Sequence, residues 1–433
     1  MKPAGRLQAA IEVLSDIEQR HRPASLALAD WGRGHRFAGS GDRAAIGNIV
    51  YDALRNRASI AWRMGSEKPR SLALGVMVFH WGETPQTLSE MFNHDPHAPE
   101  PLNDAEVKAL TTNDLEDAPG WVQADIPEWL EDAFEDNFSE DYIAEGRALA
   151  LRPPTDFRIN TVKASREKVM KALKRFTLEP AKLSPVCLRI EPGQGPARTA
   201  NLQPEAAFQK GWVEVQDQGS QVCSLLVYAR PGEQVLDYCA GAGGKTLAMS
   251  AAMENKGQIF AYDADRNRLK PIYERLKRAG TRNVQVRAPD DSLEDLVGKM
   301  DRVVVDAPCT GSGVWRRRPD AKWRLTPDAL EKRLAEQTQV LEKASRYVRP
   351  GGYLCYITCS VLGLENEGQV SNFLENHKDF ELLSAGEVWE ELFPGADLKP
   401  WSSDDCTITL TPASTGTDGF YFAVMGRRAG DAT

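Results

Sequence analysis

Val235-Leu236-Asp237-Tyr238-Cys239-Ala240-Gly241-Ala242-Gly243-Gly244-Lys245-Thr246 reads as a buried strand that runs into a glycine-rich turn. A turn of this kind wraps a nucleotide-like ligand at the first strand-to-helix connection of an α/β sheet. Gly244-Lys245-Thr246 has the ending of a phosphate-binding Walker loop, but Cys239 stands where that loop needs its first glycine, so an NTPase is disfavoured. A dinucleotide fingerprint starting at Gly241 requires glycine at 246, where Thr246 stands, which disfavours hydride chemistry. Outward from this stretch, strands at 234–237, 257–262, 283–287, 302–306 and 353–358 alternate with helical runs, including 327–348 and one starting at Glu365. That order predicts an α/β fold with a doubly wound parallel sheet, whose ligands bind at the carboxyl ends of the strands.

The candidate functional residues fall at those ends. Asp263 and Asp290 follow the second and third strands, and a carboxylate after the second suits a ribose diol. A glycine turn with spaced acids fits S-adenosylmethionine. Any single Asp there is more commonly a loop or helix-cap residue, so only the ordered series carries weight. Cys309, in Asp306-Ala307-Pro308-Cys309-Thr310, and Cys359, in Thr358-Cys359-Ser360, lie fifty residues apart, each closing a predicted strand. A lone cysteine in such a place is usually a buried structural residue. Two at neighbouring strand ends point to covalent chemistry. Cys355 and Cys359 have no partnering Cys or His pair, so no metal site is expected, and His35, His80 and His377 receive no role.

The bulk properties set limits. A chain of 433 residues with 42% hydrophobic residues is expected to form two or three domains. The first residues carry charge too often for a signal peptide, and the apolar run 72–81 is too short to span a bilayer. Seven irregularly spaced cysteines do not form a disulfide framework. A soluble, cytoplasmic protein is expected, with a monomer as the default. The net charge of −9 is uneven: residues 81–140 hold sixteen carboxylates against one lysine, leaving the remainder net positive. Basic clusters at Arg316-Arg317-Arg318 and Lys322–Arg324 are therefore candidate phosphate contacts, although charge runs are usually solvated helix faces.

Apolar residues at helical spacing, Leu7, Ile11, Leu14 and Ile17, then Ile46, Ile49, Val50 and Leu54, predict a helical start. Short helices and loops are expected over 81–137. After the proline break at Pro153-Pro154, alternation around Phe157-Arg158-Ile159 and a helical run at 165–176 predict a small α+β module.

Taken in order, Asp237–Thr246, Asp306-Ala307-Pro308-Cys309, Arg318-Pro319-Asp320-Ala321-Lys322-Trp323, Thr358-Cys359-Ser360 with Glu365-Asn366-Glu367, and Asp418-Gly419-Phe420-Tyr421 resemble the RsmB/Nop2/Sun family of RNA 5-methylcytosine methyltransferases. The resemblance covers nearly the whole chain. It implies a Rossmann-like methyltransferase sheet at 211–428, preceded by a small RNA-binding module at 141–210 and an all-helical NusB-like region at 1–140 with an atypical acidic segment. It also implies S-adenosylmethionine as cofactor and RNA, small-subunit ribosomal RNA in particular, as partner. Cytosine C5 is too poor a nucleophile to take a methyl group unless a thiolate first adds at C6. By matching positions, Cys359 is that nucleophile and Cys309 assists product release, with Asp306 at the cytosine edge. Cys239, Ala240, Gly241, Ala242, Gly243, Gly244, Lys245, Asp263, Asp290 and Asp306 line the cofactor and base pocket. The chain departs from the family pattern at Gly241-Ala242 and at Pro289-Asp290, and the latter leaves open whether Asp290 or Asp291 faces the adenine. Two rivals remain: a DNA cytosine-5 methyltransferase, with Cys309 as nucleophile, and an RNA-binding assembly factor without catalysis.

Overall fold

The computed structural model describes residues 1–112, 114–402 and 404–429. They divide into two compact units, one of residues 1–153, 191–200 and 315–325, the other of residues 154–190, 201–314 and 326–433. This differs from three consecutive domains with boundaries at 140 and 210. Most of the small α+β module groups with the sheet, and an excursion of eleven residues from the sheet's own sequence, 315–325, belongs to the helical unit.

The helical unit is built on Pro3–Arg20, Ala24–Gly34, Ser40–Arg55, Arg57–Met64 and Pro69–Gly75, the last continuing as a π-helical turn Val76–His80. Leu7, Leu14, Ile46, Ile49, Val50 and Leu54 are buried together in its core, as their spacing predicts. The acidic stretch contributes short helices, and Phe134 of Glu131–Phe138 stacks on Trp315. Burial of the 315–325 segment corrects the reading of its charges. Arg316 and Lys322 are buried, and only Arg318 and Arg324 of the two basic clusters are exposed. Lys322 Nζ donates to the carbonyls of Arg55 (2.8 Å) and Asp125 (2.5 Å), while Trp323 Nε1 donates to Leu54 O (2.5 Å). Loss of water pushes the Lys322 ammonium down to about 8. These residues hold the segment in place rather than offering charge to solvent.

In the second unit, β1 (Thr155–Ile159), β2 (Glu179–Pro180), β3 (Cys187–Ile190) and β4 (Val213–Val215) form a small antiparallel sheet in the order β2-β3-β1-β4. Its core joins Phe157, Ile159 and Leu188 to Val169 and Leu173. The large sheet comprises β5 (Gln234–Asp237), β6 (Gln258–Tyr262), β7 (Val284–Arg287), β8 (Met300–Asp306), β9 (Val348–Thr358), β10 (Phe380–Leu383), β11 (Thr407–Leu410) and β12 (Phe420–Arg427). Its order is β10-β12-β9-β8-β5-β6-β7, with β11 also paired to β12.

The sheet is Rossmann-like but not wholly parallel, which corrects the sequence expectation. The run β9-β8-β5-β6-β7 is parallel, whereas β12 pairs antiparallel with β9, β10 and β11. The connection from β11 to β12 is shorter than the dozen residues a parallel crossover needs, so the chain must reverse. Alternation fills both faces: Val235, Val304, Cys355, Ile357, Phe420 and Phe422 pack to one side. Leu236, Val303, Val305, Leu354, Tyr356 and Tyr421 pack to the other. Helix Gln218–Leu226 joins the first layer and Pro327–Ser345 the second. No described helix is long and apolar enough to cross a membrane.

Where the loop after β8 passes the residue that precedes β12, Gly313 and Gly419 meet backbone to backbone. Gly419 N donates to Gly313 O (2.8 Å), and a Cβ on Gly313 would run into the Gly419 carbonyl. Gly313→Ala is expected to cost about 2 kcal/mol or more of stability, through overpacking against rigid backbone. Chemical denaturation checks this, and an unchanged midpoint would show that the crossing yields freely.

Candidate active site at the carboxyl ends of β5, β6, β8 and β9

β5 delivers Asp237, and the turn that follows is shaped by two glycines. Gly241 and Gly243 have φ of +51° and +81°, and a Cβ on Gly243 would stand 2.5 Å from Ile272 Cγ1. Only glycine satisfies both demands at 243. Asp263, just past β6, holds the turn: its Oδ2 accepts from Gly241 N (2.9 Å) and its Oδ1 from Asp265 N (2.8 Å). From outside, Arg275 Nη1 donates to Ala242 O (2.8 Å). The following helix begins at Gly244, so Lys245 lies in its first turn.

Three carboxylates converge here. Cys239 is kept as a thiol, its ionisation pushed well up by burial and then by the charges of Asp263, Asp306 and Asp237. Asp237 is buried; Oδ2 accepts from Thr246 Oγ1 (2.6 Å), while Oδ1 has no partner among the described residues. Burial raises its carboxyl to about 7, against the opposing pull of the Thr246 bond and with help from Asp306. Lys245 Nζ lies 2.7 Å from Asp306 Oδ2. Burial works against the lysine charge, but Asp306, with Cys223 and Cys359 nearby, outweighs it and keeps the ammonium above its usual value.

The cysteine loops meet at the same strand ends. Cys309 Sγ and Cys359 Sγ are 3.3 Å apart, within hydrogen-bonding range for thiols. Cys309 is raised well above an ordinary thiol by that bond, by burial, and by the charges of Cys359 and Glu365. The Cys359 turn is held by Asn366, which accepts from Thr358 Oγ1 (2.7 Å) and donates to Ser360 O (3.1 Å), and by Gly313 N donating to Cys359 O (3.0 Å). Glu365, fully buried, accepts from Thr310 N (2.8 Å), Thr310 Oγ1 (2.5 Å) and Gln337 Nε2 (2.9 Å).

The structure thus brings Cys239, Ala240, Gly241, Lys245, Asp263, Asp306, Cys309 and Cys359 to one edge of the sheet. Asp290 stands apart: its carboxylate is 80% exposed and pairs with Arg266. Asp291 instead accepts from Ala288 N (2.7 Å), capping its own loop. Reading the sequence misses the part of Gln337, an ordinary polar residue within a long helix, and assigns Glu365 no task. S-adenosylmethionine carries a sulfonium and an ammonium. An unpartnered buried carboxylate oxygen beside two further carboxylates, and a turn with no side chain at 241, 243 or 244, fit such a cation. Among the described residues no group of three His, Cys, Asp or Glu is placed to hold a metal.

The family model described as 16S rRNA methyltransferase RsmB/F matches residues 224–426. Residues 224–426, just under half of the chain, thus match an RsmB/F methyltransferase domain. The matched span contains every candidate site residue named above. The ribosomal RNA small subunit methyltransferase B of Photorhabdus laumondii is 32% identical over 309 residues, 70% of this chain and 66% of that protein, just under two thirds of its length. Among solved structures, the crystal structure of PH0851 is 25% identical with a TM-score of 0.74 and covers 98% of this chain and 99% of that one. A methyltransferase homolog protein from Pyrococcus horikoshii is 28% identical with a TM-score of 0.58, covering 71% and 97%.

The raised Asp237 makes stability pH-dependent. Its folded value is about 7, against about 3.9 for an unfolded aspartate. The native protein therefore holds a proton that the unfolded chain has lost, and this stabilisation is complete below about pH 4 and disappears as pH rises through about 7. Asp237→Asn in the unliganded protein is expected to match wild type in urea unfolding at low pH. At pH 8 it is expected to exceed wild type by roughly 2–4 kcal/mol. Parallel curves across that range would contradict the assignment.

Proposed function

We propose that this chain is an S-adenosylmethionine-dependent ribosomal RNA methyltransferase that modifies cytosine at C5 through a covalent bond from Cys359 to C6. The observation that carries the reading is the 3.3 Å approach of Cys309 and Cys359 beside a carboxylate-lined glycine turn. Bound S-adenosylmethionine supplies an electrophilic methyl group. The glycine turn gives its backbone close access, and Asp263 and Asp237 place negative charge around it. Cys359 Sγ adds to C6, forming an S–C6 bond and making C5 electron-rich, so that C5 would take the methyl group and the sulfonium would leave as a neutral thioether. Asp306, one oxygen bound to Lys245, holds the cytosine edge. For release, Cys309, having given its own proton to solvent, takes the C5 proton; the C5–H electrons restore the C5–C6 double bond and the S–C6 bond breaks, its electrons returning to Cys359.

The Thr358-Cys359-Ser360 motif, which the reverse assignment leaves without a task, supports this division of labour. The carboxylate-lined turn and intact thiols favour catalysis over a pure binding factor. Bisulfite sequencing of total RNA from cells lacking the gene, complemented with wild type or Cys359→Ala, tests the proposal. One ribosomal RNA cytosine is expected to lose its methylation and regain it only with wild type. Methylation unchanged across ribosomal and transfer RNA would contradict the activity, and restoration by Cys359→Ala would contradict the nucleophile.

A further inference from the structure

Glu365 and Asn366 are consecutive, and each holds one of the two cysteine loops. Asn366 binds the residues on either side of Cys359. The Glu365 carboxylate takes both polar hydrogens of Thr310, the residue after Cys309. Its third donor, Gln337 Nε2, also donates to Pro308 O (3.0 Å), the residue before Cys309. Cys309 is therefore gripped on both sides by one buried carboxylate and one buried amide. The grip is costly. Gln337 Oε1 is left without a partner among the described residues, and a fully buried carboxylate in an apolar layer forgoes the stability that well-packed hydrophobic side chains would give. Apolar residues could fill this space, but they could not fix the direction of a neighbouring loop.

Resting on the methyltransferase reading above, we infer that Glu365 and Gln337 are positioning residues that set Cys309 against Cys359, and that they serve the release step rather than the attack step. The Glu365 charge also opposes ionisation of Cys309, which makes its thiolate, once formed, a stronger acceptor for the C5 proton.

The test uses the full chain and unmodified small-subunit ribosomal RNA transcribed in vitro. In Gln337→Ala and Glu365→Ala, formation of the denaturant-resistant protein–RNA adduct is expected to stay within about twofold of wild type. Multiple turnover falls by about tenfold or more, since small displacements of a reacting group have effects of this size, and the adduct accumulates. Glu365→Gln, which keeps an acceptor for Thr310 N and Gln337, is expected to lose less than Glu365→Ala. Attack and turnover falling together, or turnover unchanged, would overturn the inference.

A second arm needs no RNA. Diamide takes one hydrogen from each thiol and becomes a hydrazine as the Cys309–Cys359 disulfide forms, which intact mass reads as loss of two hydrogens. If the clamp sets Cys309, this closure slows by about tenfold in Gln337→Ala; an unchanged rate overturns the inference. Failure of wild type to form any RNA adduct would count against the methyltransferase reading alone, and the diamide arm still decides the clamp.

Discussion

Parallel pairing of β8 with β9 is the constraint from which the site follows. Asp306, the last residue of β8, pairs in register with Ile357, so both strands finish at nearly the same height. Chain leaving β8 reaches Cys309 three residues later, while chain leaving β9 presents Cys359 at once. Strands so paired place the two loops side by side, and Val303–Val305 and Leu354–Ile357, all buried, keep the pairing from slipping. A one-residue slip would turn each apolar set to the wrong face. The apolar layers thus supply the rigidity on which polar groups can be held at an unfavourable site.

The polar groups are held unfavourably in a consistent way. Asp237 lacks a partner for one oxygen, Cys239 is surrounded by carboxylates, and the compensating cations are Lys245, tied to Asp306, and the half-exposed Arg268, 3.9 Å from Asp263. Such an excess of buried negative charge makes sense for a cationic ligand, since a pocket that repels itself when empty gains when positive charge enters. The sulfurs follow the same logic. The bond to Cys359, burial and the Glu365 charge oppose ionisation of Cys309 at 3.3 Å from its neighbour.

Much of this is legible in the sequence, for physical reasons. Strands buried on both faces appear as short runs such as Val303-Val304-Val305 bounded by Asp or Gly, and β5 through β8 are read close to their observed limits, whereas β9 begins at Val348, five residues before its expected start. Strand ends then locate Asp237, Asp263, Asp306, Cys309 and Cys359. The antiparallel β10, β11 and β12 are not legible, because direction depends on the length and course of connections that local alternation does not encode. Arg316 and Lys322 mislead for a different reason: a charge run resembles a solvated surface, and only tertiary packing supplies the carbonyls of Arg55 and Asp125 that satisfy Lys322. Asp290 occupies a suggestive position in sequence yet spends its charge on Arg266 at the surface. The Glu365 and Gln337 clamp joins residues from separate elements, and nothing local to either announces it.

The central claim is that these two sulfurs act on one RNA base with unequal tasks, and peptide mapping of a trapped complex tests it most directly. With RNA containing 5-fluorocytidine, C5 carries no removable proton, so the covalent complex persists and its protein attachment point can be sequenced by mass spectrometry. The nucleotide is expected on the peptide containing Cys359, with Cys309 unmodified. Attachment at Cys309, or no attachment in the presence of S-adenosylmethionine and ribosomal RNA, would contradict the account.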